Sequence, residues 1–125
     1  MTDLEVQAWA EAFIAAQSDP NLLATADHPQ WWAVERFMKA GTSEAPAHDC
    51  FRAILRALAM NPPEDILAIL AAGPLEDLVH YCGEEIIQEI EREASDNSAL
   101  RHLLCGIYES STPDVWARIK ACRKK

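Results

Sequence analysis

Three histidine–cysteine pairs are the residues of this chain that could hold a metal ion. They are His48 and Cys50, His80 and Cys82, and His102 and Cys105. Zinc is bound by neutral imidazole and deprotonated thiol in a tetrahedral arrangement. Only the last pair has a spacing that places both side chains on one helical face, because residues two apart diverge by about 200°. The spacing therefore favours buried cysteines and surface histidines over a metal site.

Asp77 and His80 are one helical turn apart and form a second candidate site, beside Glu84 and Glu85. A carboxylate at this spacing can orient an imidazole, and general acid–base catalysis uses such pairs. No Ser, Cys or Lys has a sequence spacing from this pair that would identify it as a nucleophile. A role for Asp77 in capping and solvating a helix start is therefore favoured over catalysis.

The strongest functional signal is an excess of negative charge. The net charge is -9, and residues 51–100 contain ten Asp and Glu but only three Arg. Such a field repels phosphate backbones and disfavours nucleic-acid binding. Glutamates repeated every four residues cost helix stability, which favours a role in binding, although an acidic face also keeps a protein in solution. The predicted partner-binding residues are Glu76, Asp77, Glu84, Glu85, Glu89, Glu93 and Trp31.

Trp31 and Trp32 are adjacent, so on a helix their side chains point about 100° apart. One of them can enter the core while the other lies at its margin. We expect Trp32 to be buried and Trp31 to be an anchor for a partner, since exposed tryptophans are frequent interface hot spots. The alternative is that both side chains pack into a small core.

These residues predict a cytoplasmic protein-binding module. An immunity or antitoxin-like inhibitor of a basic protein, such as a nuclease toxin, fits an acidic domain of this size. The alternative is a small enzyme or metal-binding protein that uses Asp77 and His80 or the histidine–cysteine pairs. No specific motif assigns a catalytic residue, a metal ligand or a cofactor, so none is predicted. The expected partner is a basic protein, with no nucleic acid and no membrane involved.

Length and composition predict one domain that spans residues 1–125. The chain is half hydrophobic and long enough to bury a core. No apolar stretch reaches the roughly eighteen residues of a membrane span, and the acidic N-terminus is unlike a signal peptide. The four cysteines are widely spread, which is typical of buried, reduced thiols.

Apolar residues recur at helical spacing and no segment alternates with period two. The pattern predicts an all-α fold, either a compact bundle or a small helical-repeat-like array of seven to eight short helices. Several cap and break signals separate the helices. They are Asp27-His28-Pro29, Gly41, Asn61, Gly73-Pro74, Gly83 and Thr112-Pro113.

The Gly73-Pro74 junction predicts two helices that meet without a loop. Gly73 would end the first helix in the left-handed conformation, and Pro74 would begin the second. Gly83 would end that second helix. Shared helical phase predicts a core containing Trp32, Ile54, Leu58, Leu67, Leu70, Leu78, Ile87, Ile90, Leu104 and Trp116.

The segment AAGPLEDL followed by GEEIIQEIE resembles an uncharacterised bacterial family, the domain of unknown function 6869. The resemblance extends through LLCGIY and VWARI, and Trp32 and Glu35 fit it upstream, so that it covers about residues 28–120. It implies a small helical cytoplasmic domain with no assigned activity, and no catalytic residue carries over. Family members commonly have a Gly-Gly pair where this chain has Cys105-Gly106.

Overall fold

The computed structural model describes residues 1–22 and 28–123, and six helices occupy most of them. The helices are α1 (Asp3–Gln17), α2 (Trp31–Phe37), α3 (Ala47–Ala59), α4 (Glu64–Ala94), α5 (Ser98–Leu104) and α6 (Pro113–Cys122). The described residues contain no strand, so the all-α prediction is confirmed. The predicted count of seven to eight helices is wrong. Asp27, predicted to cap α2, lies outside the described residues.

The helix count differs because α4 continues through both of its predicted breaks. An α-helical arm (Glu64–Leu70) leads into a π-helical turn (Ala71–Leu75), and a second α-helical arm (Glu76–Ala94) follows. Pro74 has no N–H to donate, but the N–H of Glu76 reaches back five residues to the carbonyl oxygen of Ala71. This wider hydrogen-bond ring is that of a π turn. The helix therefore passes the proline without ending.

Gly73 does not adopt the predicted left-handed conformation. It lies inside the π turn, and among the described glycines only Gly41 has a positive φ, of 92°. A Cβ placed on Gly73 would meet no atom within 4 Å. The predicted left-handed cap at Gly73 is therefore wrong, because the backbone there is helical and the space around it is open.

The predicted caps have different outcomes. Thr112 caps α6 as expected, since its hydroxyl accepts the N–H of Val115. Asn61 does not cap α4, which begins after Pro63 without a side-chain cap. Asn61 instead follows α3 with a φ of 52°, in the left-handed region that asparagine tolerates better than most residues.

Buried side chains from all six helices form one continuous hydrophobic cluster. Leu67 is only partly buried at its edge, contrary to expectation, because the N-terminal arm of α4 turns only Ile66 and Leu70 fully inward. The predicted core residues that are buried are Ile54, Leu58, Leu70, Leu78, Ile87, Ile90, Leu104 and Trp116.

The two adjacent tryptophans are placed the other way round from the prediction. Trp32 is 40% exposed, whereas Trp31 packs against the core. The phase of α2 is set by Ala33, Val34 and Phe37, which all face inward. Trp32 therefore lies on the opposite side of the helix, where the Arg36 guanidinium stands 5.0 Å from its ring centroid.

α4 is long and apolar enough, by length and composition alone, to cross a membrane. Half of its most apolar 18-residue window is buried inside the domain. Core helices share this length and composition, and α4 contacts α3, α5 and α6. The apolar composition of α4 is therefore explained by its contacts with the surrounding helices.

We predict that Ile90→Ala lowers the free energy of unfolding by about 2–5 kcal/mol, because its fully buried side chain leaves a cavity. Urea unfolding followed by circular dichroism measures the change. Ile69→Ala on the same helix is the control, since Ile69 is 42% exposed and its truncation should cost less. Equal costs for the two variants would contradict the burial of Ile90.

We also predict that Gly73→Ala raises the free energy of unfolding by about 0.5–1 kcal/mol. Alanine restricts the unfolded chain more than glycine does and suits a helical backbone. Thermal and urea unfolding of the two proteins compare their stabilities. A loss of stability would show that the backbone at Gly73 requires glycine after all.

Candidate functional site

The segment from Ile107 to Thr112 runs along the C-terminal arm of α4 and is tied to it at several points. The Tyr108 N–H donates to Oε1 of Glu76 at 2.8 Å, and Nδ1 of His80 lies 3.0 Å from Oγ of Ser110. A concavity of about 500 Å³ lies between the arm and this segment. We call the surface around it the acidic face; it is lined by His80, Tyr81, Cys82, Gly83, Glu84, Glu85, Ser111 and Thr112.

The backbone beneath the acidic face is irregular. Cys82 departs from helical geometry, with φ of -127° and ψ of 17°, and Ser111 has a φ of 66°. A Cβ on Gly83 would overlap the Ser111 side chain and lie 3.1 Å from Cγ1 of Val115. Gly83 therefore admits the neighbouring segment. The break predicted at Gly83 corresponds to a kink at Cys82, one residue earlier, that joins two helical parts of α4.

Glu84 and Glu85 are exposed on this face. Neither carboxylate has a hydrogen bond or ion pair to another residue in the described ranges. Burial, and to a smaller extent the negative charge of Glu85, raises the pKa of the Cys82 thiol. The two adjacent acids thus present uncompensated negative charge at the surface.

The other glutamates of the predicted site have partners within the protein. Glu89 Oε2 lies 2.8 Å from Nδ1 of His48, and Glu93 accepts a hydrogen bond from the side-chain amide of Asn97 at 3.3 Å. Glu76 accepts the Tyr108 N–H, as described above. Contacts inside the protein are therefore sufficient to explain why glutamate occurs at positions 76, 89 and 93, and no external partner is needed.

Trp31 and Asp77 lie together in the wall of an apolar pocket of about 290 Å³, between α1, α2 and the π turn of α4. Burial raises the pKa of Asp77, the nearby charge of Glu76 raises it further, and His80 partly opposes the shift. The sequence placed both residues in one partner-binding set. The structure instead brings them together in a pocket separate from the concavity of the acidic face.

The His80–Ser110 contact is a pair that the sequence did not indicate. The two residues are 30 positions apart, and only the path of the segment after α5 brings them together. A serine nucleophile needs a base that a third group orients. His80 is exposed, and the Ser110 contact is the hydrogen bond of its ring. No carboxylate in the described part of the chain hydrogen-bonds to it. Asp77, which the sequence offered as a group that could orient this imidazole, has no hydrogen bond to it, although the charge of His80 affects the pKa of Asp77.

The three histidine–cysteine pairs do not assemble into a metal site within the described residues, where no three His, Cys, Asp or Glu are placed to hold an ion. Cys50, Cys82 and Cys122 are buried and form no disulfide, and burial raises the pKa of Cys50 to about 12. Cys105 is exposed, contrary to expectation: it follows the last residue of α5, and its thiol donates to the carbonyl oxygen of Arg101 at 3.4 Å.

The Family of unknown function (DUF6869) matches residues 21–125, and the chain belongs to this family. The matched region includes the whole acidic face, whereas α1 precedes it. No curated protein and no solved structure matches the chain. The family carries no assigned activity, so the surfaces described above are the basis for a function.

We predict that Gly83→Ala lowers the free energy of unfolding by about 1–3 kcal/mol, because the added methyl group overpacks the contact with Ser111. Gly73→Ala is the matched control, with the same chemical change at an open site of the same helix. Urea unfolding compares the two variants. Equal effects on stability would contradict the close packing at Gly83.

Proposed function

We propose that this protein is a cytoplasmic protein-binding module whose acidic face engages a basic protein partner. The observation that carries the proposal is the pair Glu84 and Glu85, exposed and without partners among the described residues. Both lie beside the exposed side chain of Tyr81 on an irregular backbone. The catalytic and metal-binding roles weighed from the sequence have no comparable arrangement to support them.

Electrostatics support a basic partner. Glu84 and Glu85 place two adjacent negative charges on one face of a chain whose net charge is -9. A cation from a partner would relieve their mutual repulsion, and the field of the whole domain would speed the encounter. Glu89, by contrast, already uses one carboxylate oxygen in its contact with His48, at 2.8 Å.

Aromatic side chains supply the apolar component that a protein interface needs. Tyr81 is 68% exposed, and Tyr108, on the segment that borders the acidic face, is 79% exposed. Tyrosine is enriched at interfaces because its ring buries a large area and its hydroxyl keeps a hydrogen-bonding group. Tyr81 also has an edge-to-face contact with His80, with 4.7 Å between ring centroids, which limits the freedom that it would lose on binding.

The strained backbone gives this face a fixed shape. A non-glycine residue at positive φ, such as Ser111, costs about 1–2 kcal/mol and persists only where its surroundings hold it. Such strain is concentrated at functional sites. The packing of Gly83 against Ser111 holds the conformation before any partner arrives, which reduces the entropic cost of binding.

The class of partner-binding protein that we propose is a stoichiometric inhibitor of immunity or antitoxin type. Proteins that act on nucleic acids carry basic surfaces, and an acidic domain can cover such a surface by charge complementarity. A small domain with an exposed tyrosine and two free carboxylates has the chemistry for this role. The proposed target is therefore a basic protein, and a nuclease toxin is the example we favour.

The alternative of a small hydrolase is supported only by the His80–Ser110 contact. A serine hydrolase also needs a group to orient the histidine and preorganised donors for the oxyanion. The pair is solvent-accessible, and no hydrogen bond to a carboxylate accompanies it in the described residues. The binding role accounts for more of the acidic face, including Glu84, Glu85 and Tyr81.

Charge reversal tests the proposal. We predict that Glu84→Lys combined with Glu85→Lys reduces capture of the basic partner by tenfold or more and weakens the salt dependence of capture, because close charge pairs across an interface couple by about 1.5 kcal/mol or more. The partner is first isolated with the wild-type protein from lysate of the source cells. Binding is then measured with the purified partner at two salt concentrations.

The control is Glu11→Lys combined with Asp96→Lys, which makes the same change in net charge at exposed positions outside the acidic face. This control should retain most of the affinity. An equal loss of affinity in both double variants would show that binding depends only on the net charge of the protein, and would contradict a specific role for the acidic face. Unchanged binding by the Glu84 and Glu85 variant would remove the proposal.

A further inference from the structure

The pocket beside the π turn has an unusual lining for a surface depression. Among the described residues, Gln17 and Asp77 supply its polar side chains, apart from the indole N–H of Trp31. Its mouth is bordered by Met38 and Ile69, which are 57% and 42% exposed. The other described residues of the lining are apolar or aromatic: Phe13, Leu22, Trp31, Val34, Phe37, Gly73 and Pro74.

The π turn places the carboxylate in this wall. Ile69 and Asp77 are eight residues apart, which on a regular α-helix would separate their directions by about 80°. The π turn inserts one extra residue, so Asp77 takes the position of an α-helical residue seven after Ile69, within about 20° of the same direction. The apolar side chain and the carboxylate consequently line one pocket.

Asp77 has no evident structural role. It makes no hydrogen bond or ion pair with another residue in the described ranges, whereas the adjacent Glu76 accepts the Tyr108 N–H. α4 is continuous through this position, so Asp77 does not cap a helix start. Its carboxyl group is partly buried, and burial raises its pKa. A half-buried carboxylate with no partner is costly to retain in an apolar wall.

We propose that this pocket binds a small apolar or aromatic amine, whose ammonium group pairs with Asp77 and whose hydrocarbon part packs against Phe13, Trp31 and Phe37. A charge-assisted hydrogen bond is strongest where the surroundings exclude water. The aromatic rings add favourable faces for a cation. The same carboxylate repels an anionic ligand, so Asp77 selects ligands that carry a positive charge.

The size of the pocket limits the ligand to one ring or a short branched chain. A volume of about 290 Å³ lies at the lower end of the range for small-molecule sites. Three helices and Leu22, which follows α1, supply the described walls, which makes the pocket more suitable for a small molecule than for a helix or strand of a partner. The proposal does not depend on the acidic face, which uses other residues.

Three matched probes test the proposal on the whole chain: 2-phenylethylamine, 2-phenylethanol and phenylacetate. Titration of isotope-labelled protein, followed by the indole N–H signal of Trp31 in two-dimensional NMR, measures each affinity. We expect the amine to bind in about the millimolar range or tighter, as suits a ligand of this size. The alcohol should bind about tenfold more weakly, and phenylacetate should not bind.

Asp77→Asn keeps the shape of the side chain and removes its charge. We expect this variant to lose about tenfold in affinity for 2-phenylethylamine while its affinity for 2-phenylethanol is unchanged. Asp96→Asn is the control, because it removes one negative charge from an exposed position just after α4. The control should bind the amine as the wild-type protein does.

Three results would overturn the proposal. Equal affinity for the amine and the alcohol would mean that the pocket recognises only hydrocarbon. Equal losses in Asp77→Asn and Asp96→Asn would assign the effect to the general field of the domain. Absence of any Trp31 shift with the amine at concentrations well above millimolar would show that the pocket does not take this ligand class. The comparison of the three probes on the wild-type protein decides the matter even if a variant fails to fold.

Discussion

The hydrogen bond from the N–H of Glu76 to the carbonyl oxygen of Ala71 is the interaction on which the arrangement of this protein depends. It carries α4 past Pro74, which would otherwise end or kink the helix. The resulting π turn also fits against the end of α5, where a Cβ on Gly106 would lie 2.9 Å from Cβ of Ala71. One backbone adjustment thus sets the direction of both arms of α4 and the position of the helix that follows.

The second arm of α4 shows how neighbouring residues of one helix acquire different roles. Asp77 faces the apolar pocket, His80 contacts Ser110, and Glu84 lies exposed on the acidic face. Local contacts account for glutamate at positions such as Glu89, which pairs with His48. The carboxylates without such contacts are those on which a functional argument can rest, because a charge with no internal partner gains most from an external one.

Much of the candidate site could not be predicted by reading along the chain. The acidic residues were identified as a set from their spacing, but spacing gave no means of separating Glu84 from Glu89. That distinction depends on His48, which lies on another helix. The pocket was missed altogether because its walls come from parts of the chain that are distant in sequence, and because Gly73-Pro74 was interpreted as the end of one helix and the start of the next.

The sequence by itself determined the helical class, the cap at Thr112, most of the buried positions and the family, since each depends on local chemistry or on a periodic pattern of apolar residues. Only the tertiary structure decided whether Trp31 or Trp32 turns inward and whether α4 continues through its glycines. A glycine or a proline restricts which conformations a backbone can adopt, but several remain accessible. The packing of Gly83 against Ser111, and of Gly106 against Ala71, selects one of them.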